Sequence, residues 1–147
     1  KVEETWRLED IFATDQAWEA EYLEVETFSQ KGESYKGTLG NGPDALLEAL
    51  TYRDQLSERL RRLYTYAHLK LDQDTSNSFY QAVDGRVKTL LVKISTALSY
   101  FLPELLTIDE DKLNTWVKEH QALGLYKQEL EEINKQRPHV FPAEQDA

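Results

Sequence analysis

The chain of 147 residues contains no cysteine and no methionine. Without cysteine it has no disulfide framework, no thiolate nucleophile and no thiolate metal site. Its three histidines, His68, His120 and His139, are far apart in sequence, and none has a partner at metal-ligand spacing. The residue types that most often carry metal or nucleophilic chemistry are thus scarce. We therefore assign no catalytic, cofactor-binding or metal-binding residue, and expect no cofactor bound by these residues alone.

Turn-forming residues are also scarce, with 6 glycines and 4 prolines, which favours long helices over a sheet-rich fold. Hydrophobic residues make up 40% and charged residues 30% of the chain, too apolar a balance for disorder. A chain of this length buries a substantial core. Composition therefore predicts one ordered, helical region.

The net charge of −10 repels phosphate backbones and anionic membranes, so we expect neither a nucleic-acid nor a membrane partner. The longest apolar candidate, from Leu90 to Leu102, contains Lys93 and several hydroxyl groups. It falls short of the roughly 20 apolar residues that span a bilayer. An acidic chain without cysteine is compatible with the cytoplasm, which is the location we expect.

A leucine-rich stripe with steps of three or four residues predicts a long helix over 43–71, with Pro43 at its first position. The turn Asp72–Thr75 reverses the chain, and a second long helix is predicted over 75–101. Two long helices joined by a short turn pack antiparallel. The inner face of the second helix is predicted to carry Phe79, Val83, Val87, Leu90, Ile94, Ala97 and Phe101.

Shorter helices are predicted on either side of this hairpin. Asp15 is placed to cap a helix of about 15 residues with Trp18, Tyr22, Val25 and Phe28 on its inner face. Asp109 is placed to cap another, which Gly124 ends. A last helix covers 125–136, and an extended link, 139–141, leads into the start of another helix at Pro142.

Three local features carry further expectations. Tyr35 to Leu39 is predicted to be extended within a glycine-rich loop, 32–42. Gly85 lies inside the second long helix, where glycine costs about 1 kcal/mol relative to alanine, so we expect another helix to approach it closely. Pro103 is expected to break or kink the end of that helix.

Several polar groups have both a structural and a functional interpretation. His120 lies on an apolar helical stripe, which favours a half-buried structural histidine over a ligand. His68 and Asp72 share a helix face, but a zinc site needs a third ligand. The Gly-Asn-Gly segment before Pro43 lacks the pattern of a phosphate-binding loop. The arginine group, Arg59, Arg61 and Arg62, favours ion pairs with neighbouring acids, and its alternative is a surface that faces an acidic ligand or a partner domain. The remaining groups favour solvated surface or core packing: Glu129, Glu131 and Glu132; Tyr64, Tyr66 and Tyr80.

Four segments in order suggest a family. They are Trp6–Phe12 with Trp18-Glu19, then Tyr35–Leu39, then Leu63–Ala67 with Asp72–Asn77 and Tyr80-Gln81, and finally Arg137–His139. With them, the chain resembles the N-terminal region of oligoendopeptidase F, a bacterial zinc metallopeptidase related to thimet oligopeptidase. The resemblance spans essentially all 147 residues.

The resemblance implies an all-helical fold that encloses a deep channel for short, unstructured peptides. It also implies zinc held by two histidines and a glutamate around an H-E-x-x-H helix, with the glutamate of that motif as general base. This sequence contains no H-E-x-x-H. We therefore expect the chain to be a non-catalytic part of the channel wall or roof, whose partners are the catalytic remainder and short peptides.

The chain begins at Lys1, and Glu144 to Ala147 resemble the first turn of a helix, so we expect a fragment of a longer protein. Within it we expect a hairpin part, 1–108, and the start of a second helical subdomain, 109–147. An apolar surface for the remainder is expected around Trp116, Tyr126, Val140 and Phe141. The alternatives are a free-standing helical adaptor and a small enzyme whose site the sequence does not reveal.

Overall fold

The computed structural model describes residues 8–137, which form seven α-helices and two short 3-10 helices and contain no strand. The α-helices are α1 (Leu8–Ile11), α2 (Asp15–Ser29), α3 (Pro43–Gln73), α4 (Ser78–Ala97), α5 (Phe101–Leu106), α6 (Glu110–Glu119) and α7 (Lys127–Lys135). The 3-10 helices are Gln30–Tyr35 and Gln121–Tyr126. The expected all-α fold, with a long helical hairpin and shorter helices, is confirmed.

These helices form two compact units, which within the described residues are 8–33 with 52–98, and 34–51 with 99–137. The first unit contains α1, α2, most of α3, and α4. The second contains the start of α3 and helices α5 to α7. The subdomain boundary expected at residue 108 lies inside the second unit and stays a prediction for the longer protein.

Buried leucines and a capped turn stabilise the hairpin of α3 and α4. Leu56, Leu63 and Leu90 are almost completely buried. The turn is closed by a hydrogen bond from the Asn77 N–H to the Asp74 carbonyl, and the Asn77 side chain caps α4 by accepting from the Phe79 N–H at 2.8 Å. The chain therefore reverses within residues 74–77.

Helix α2 packs on the hairpin through Trp18, which is 2% exposed. Its indole Nε1–H donates to the Leu63 carbonyl of α3 at 3.0 Å. The guanidinium of Arg86 on α4 lies 5.5 Å from the Trp18 ring and forms an ion pair with Glu19 at 2.8 Å. Of the inner face predicted for α2, Trp18, Tyr22 and Val25 are buried, and Phe28 is half-buried.

The predicted end of the second long helix is wrong. Helix α4 ends at Ala97, a turn follows, and α5 begins at Phe101. Pro103 therefore does not break the long helix but lies in the first turn of α5, where its missing N–H costs no helical hydrogen bond. The predicted inner-face positions of Phe79 and Ala97 are wrong: both residues lie near an end of α4 and are exposed.

The end of α6 and the conformation of the glycine-rich loop also differ from expectation. Helix α6 is capped by Asp109 as predicted, with its carboxylate accepting from the Lys112 N–H at 3.1 Å. However, α6 ends at Glu119, and Gly124 lies within the 3-10 helix that follows. The extended conformation predicted for Tyr35 to Leu39 is wrong, since turn hydrogen bonds from Thr38 and Asn41 close this segment.

The glycine at a close approach is Gly32 rather than Gly85. A Cβ on Gly32 would lie 3.0 Å from Leu98 Cδ2 and 3.2 Å from the Tyr52 hydroxyl oxygen. A Cβ on Gly85 would meet no atom of the described residues within 4 Å. The expected helix contact at Gly85 is therefore absent from residues 8–137, because Gly85 lies on the side of α4 opposite its buried face.

Of the remaining expectations near the C-terminus, those up to residue 137 can be compared with the structure, and those beyond it lie outside the described residues. Leu130 and Ile133 of α7 are buried as predicted, and Arg137 holds the end of α7 by donating to the Leu106 carbonyl at 3.0 Å. His139, the link 139–141 and the helix at Pro142 lie outside the described residues. So do Val140 and Phe141 of the expected apolar surface, whereas Trp116 and Tyr126 are half-buried.

Candidate functional site

Each of the two described histidines lies beside an aspartate, and the two pairs lie on different parts of the chain. His68 Nε2 lies 3.6 Å from Asp72 Oδ2, and the His68 ring stacks on Tyr64 with centroids 5.5 Å apart. His120 Nε2 lies 2.7 Å from Asp44 Oδ1. Within residues 8–137, no three side chains of His, Asp or Glu converge as a metal ion requires. These residues therefore offer no donor set for zinc.

His120 links the end of α6 to the start of α3. It is the C-terminal cap residue of α6, and Asp44 lies in the first turn of α3. The His120 side chain is 26% exposed, and its Nδ1 is buried without a hydrogen-bond partner in the described residues. The half-buried position and the contact with Asp44 agree with the structural interpretation of His120.

The glycine-rich loop does bind an anion, but that anion belongs to the protein. The backbone N–H of Gly37 donates to Glu104 Oε1 at 2.8 Å, and that of Leu39 donates to Oε2 at 2.9 Å. Gly37 has a φ of +85°, which aligns these two N–H groups and favours glycine. The Glu104 carboxylate therefore occupies the N–H donors of Gly37 and Leu39, which are not available to a bound anion.

The arginine group on α3 finds hydrogen-bond partners within the chain. Arg59 donates to Glu21 at 2.7 and 2.8 Å and to Glu24 at 3.1 Å, and its hydrogen bond to Glu21 raises its pKa. Arg61 pairs with Glu58 at 2.6 Å. Arg62 donates to the Ile11 carbonyl at 2.7 Å. The interpretation as ion pairs and packing is supported, and a free basic patch for an acidic ligand is not.

A tyrosine–carboxylate cluster was missed by sequence reasoning. Asp15, expected as the N-cap of α2, is instead the first helical residue, because Thr14 caps the helix by accepting from the Ala17 N–H at 3.0 Å. The Asp15 carboxylate accepts from the Tyr66 hydroxyl at 2.6 Å and from the Tyr80 hydroxyl at 2.9 Å. Burial, and then the bond to Asp15, raises the pKa of Tyr66 well above its usual range. The cluster joins α2 to both helices of the hairpin.

A groove with a volume of about 760 Å³ lies along α6 and α7. Val117 and Leu130 provide its apolar part. Asn134 Nδ2 donates to Asn114 Oδ1 at 3.0 Å, and Asn134 Oδ1 accepts from Arg137 Nε at 2.7 Å. The rest of the lining is charged: Glu110, Lys118, Lys127, Glu131 and Lys135.

This α6–α7 groove is suited to binding rather than to chemistry. Its volume lies within the range of sites for small molecules and peptides, with an apolar floor and a few polar groups. Three lysines against two glutamates give it a positive balance in a chain whose net charge is −10. It contains no histidine and no hydroxyl or thiol nucleophile. Sequence reasoning placed Leu130 inward and Glu131 in solvent but did not predict that the two helices form a groove.

Comparison with known proteins connects this helical chain to a family. A sequence model described as Oligopeptidase F matches residues 104–147. The chain is 48% identical to Oligopeptidase PepF of Bacillus subtilis over all 147 residues, which is 22% of that protein. It is 34% identical to Group B oligopeptidase PepB of Streptococcus agalactiae, with 92% of this chain and 23% of that protein covered.

A solved structure has a similar helical fold. The crystal structure of oligoendopeptidase-F from Enterococcus faecium matches with a TM-score of 0.76 and 37% identity, covering 90% of this chain and 26% of that one. The chain belongs to the oligoendopeptidase F family. The resemblance to oligoendopeptidase F seen in the sequence is thereby confirmed, and the chain spans 22–23% of the length of the two relatives compared above.

Proposed function

We propose that the chain is the non-catalytic N-terminal domain of a zinc-dependent metalloendopeptidase that hydrolyses short oligopeptides. The observation that carries this proposal is the 48% identity to Oligopeptidase PepF over the whole chain, which corresponds to only 22% of that protein. Residues 8–137 contain no cluster of metal ligands, and the whole sequence contains no H-E-x-x-H motif. Zinc and the groups that act on its bound water would therefore come from the other part of the enzyme.

The role proposed for these helices is to form part of the wall or roof of a substrate channel. A wall of this kind must be rigid, and the buried leucines of α3 and α4 and the Trp18 contacts provide rigidity. It must also offer surface to a peptide, and the α6–α7 groove offers apolar and amide groups together. A narrow, rigid entrance would exclude folded proteins and admit short, unstructured peptides.

The test uses the full-length protein that contains these 147 residues. We expect it to contain zinc, to cleave short unstructured peptides, to lose that activity on treatment with a chelator and to regain it with zinc. A folded protein should resist cleavage, whereas its unfolded fragments should not. A full-length protein that contains no metal and leaves peptides intact would contradict the proposal and favour a helical adaptor.

The same proposal places the enzyme in the cytoplasm. The absence of cysteine and the acidic composition are compatible with that compartment. Fractionation of cells that produce the full-length protein tests this location. Recovery of the protein mainly in the membrane or secreted fraction would contradict it.

A further inference from the structure

One side of α4 exposes uncharged residues to solvent. Ala82, Gly85, Thr89 and Val92 follow one another at steps of three or four, so they lie on the same side of the helix, and all four are exposed. We call these four residues the Gly85 face. The buried residues of α4 lie on the opposite side: Val83, Val87, Leu90 and Ile94.

The C-terminal end of the Gly85 face, Thr89 and Val92, lies in an apolar stretch that continues from α4 into α5. By length and composition alone, Ser78–Leu106 could cross a membrane, with a mean hydropathy of 1.3 in a stretch that is 22% buried, although a turn divides the segment into α4 and α5. Val92 is 62% exposed, and Leu91 beside it is 40% exposed. This finding corrects the expectation that no segment approaches the length of a membrane span. Leu91 and Val92 therefore expose apolar surface on α4, with Lys88 and Lys93 at its border.

The shape of the Gly85 face fits another helix. Gly85 has no positive φ, so the backbone does not require glycine there. A glycine in a helix interior costs about 1 kcal/mol relative to alanine without a compensating contact. The side chains of Ala82 and Thr89 are also small, and small residues let two helix backbones approach closely.

The contacts of α4 favour a protein helix over a membrane as the occupant. Arg86 is held to Glu19 by two hydrogen bonds of 2.8 Å, and Asp84 is 5% exposed and pairs with Lys88 at 2.9 Å. Moving α4 into a bilayer would break the Arg86–Glu19 contact and place charged groups in hydrocarbon. The net charge of −10 also disfavours an anionic membrane surface.

We propose that a helix from the part of the peptidase outside these 147 residues packs on the Gly85 face. The chain spans 22% of Oligopeptidase PepF and 26% of the matched crystal structure's chain, so a whole member of the family has ample further length to supply the helix. This inference rests on the proposed function only in taking the chain as one domain of that larger enzyme. It assigns α4 a role in joining this domain to the rest.

The test is thiol labelling in the full-length protein, because these 147 residues contain no cysteine of their own. Val92→Cys is introduced after any cysteines elsewhere in the protein have been replaced. Its rate of reaction with a maleimide is measured in the native and in the denatured protein. We expect the native rate to be lower by roughly 100-fold or more, since a packed thiol reacts only through local opening.

Leu23→Cys is the matched control, since Leu23 is a similarly exposed apolar residue, at 54%, in the middle of α2. It should react at nearly its denatured rate. A native rate for Val92→Cys as close to its denatured rate as that of Leu23→Cys would overturn the proposal. Protection of Val92→Cys that disappears on dilution would assign the Gly85 face to a second copy of the protein and overturn it too. Protection that requires phosphatidylcholine vesicles would assign the face to a membrane, with the same consequence.

A second variant tests close approach at Gly85 itself. Adding Gly85→Leu to the Val92→Cys protein should raise the native labelling rate severalfold, because the larger side chain separates the two helices. Added Gly85→Ala should have a smaller effect. An unchanged rate with Gly85→Leu would overturn the proposal. Labelling requires neither zinc nor peptide, so a failure here leaves the proposed peptidase function standing, and an inactive enzyme leaves this test valid.

Discussion

The carboxylate of Glu104 accepts a hydrogen bond from the backbone N–H of Gly37 at 2.8 Å. Its second oxygen accepts from the Leu39 N–H at 2.9 Å. One side chain at the start of α5 therefore fixes a loop that lies 65 to 67 residues earlier in the sequence. This bond explains why the loop needs both a glycine at residue 37 and an acid at residue 104.

Glu104→Ala should lower the free energy of unfolding by about 1–3 kcal/mol, because two backbone donors lose a charged acceptor. Glu104→Gln keeps one acceptor oxygen and should cost less. Glu132→Ala removes only an exposed pair with Lys135 and serves as the control, with an expected change below about 0.5 kcal/mol. Chemical denaturation measures all three. A Glu104→Ala chain as stable as the control would show that water replaces the carboxylate without cost.

Gly85→Ala should raise the free energy of unfolding of the 147-residue chain by up to about 1 kcal/mol, since alanine is the better helix former. A Cβ at that position meets no atom of the described residues within 4 Å. Gly37→Ala should have the opposite sign and cost about 1 kcal/mol or more, because φ is +85° at that position. Thermal or chemical denaturation of both variants gives the two signs, and a destabilising Gly85→Ala would contradict this assignment.

Stability should decline at alkaline pH through Tyr66. Its folded pKa lies above the unfolded value of about 10, because burial and the bond to Asp15 favour the protonated phenol. The contribution is therefore fully present below pH 10 and is lost as the pH rises through the folded pKa. Tyr66→Phe should flatten this alkaline decline. Tyr64→Phe, which keeps the ring stacked on His68, should leave it unchanged. Denaturant titrations at several pH values make the comparison.

The α6–α7 groove should affect substrate affinity in the full-length enzyme. Replacing both Lys118 and Lys127 with alanine should raise KM for acidic peptides several-fold and leave kcat nearly unchanged, because the groove contains no catalytic group. Lys36→Ala, at an exposed loop position, is the control. A fall in kcat at constant KM, or no change at all, would exclude the groove as a peptide-binding surface.

Helix α3 was predictable because apolar residues recur at steps of three or four from Leu46 to Leu63 and can bury one side of a single long helix. The break between Ala97 and Phe101 was not, since no glycine or proline lies between them and the proline at residue 103 suggested a later end. Local signals place a helix, but tertiary packing decides where it stops.

The polar contacts of the candidate sites were the least predictable part. Aspartate is a residue type that often caps helices, which suggested an N-cap at Asp15. Its partners are instead Tyr66 and Tyr80, which are 51 and 65 residues away. Nothing in the local sequence distinguishes a carboxylate that caps its own helix from one that accepts distant hydroxyls. Similarly, the groove arises only when α6 and α7 are brought together. The family, by contrast, was recognisable from short ordered segments, because it depends on residue identity rather than geometry.

Many long-range contacts of α2 and the hairpin end on a main-chain oxygen rather than on a side chain. Trp18 donates to the Leu63 carbonyl, Tyr52 to that of Phe28 and Arg62 to that of Ile11. A substitution can delete a donor, but none can delete a carbonyl. The two residues of each hydrogen-bonded pair should therefore differ in how many substitutions they tolerate. The residue that donates is constrained by the hydrogen bond, whereas the residue whose carbonyl accepts can vary among side chains that fill the same space. We then expect the residue types at the acceptor positions to vary among family members while the packing of the helices is retained.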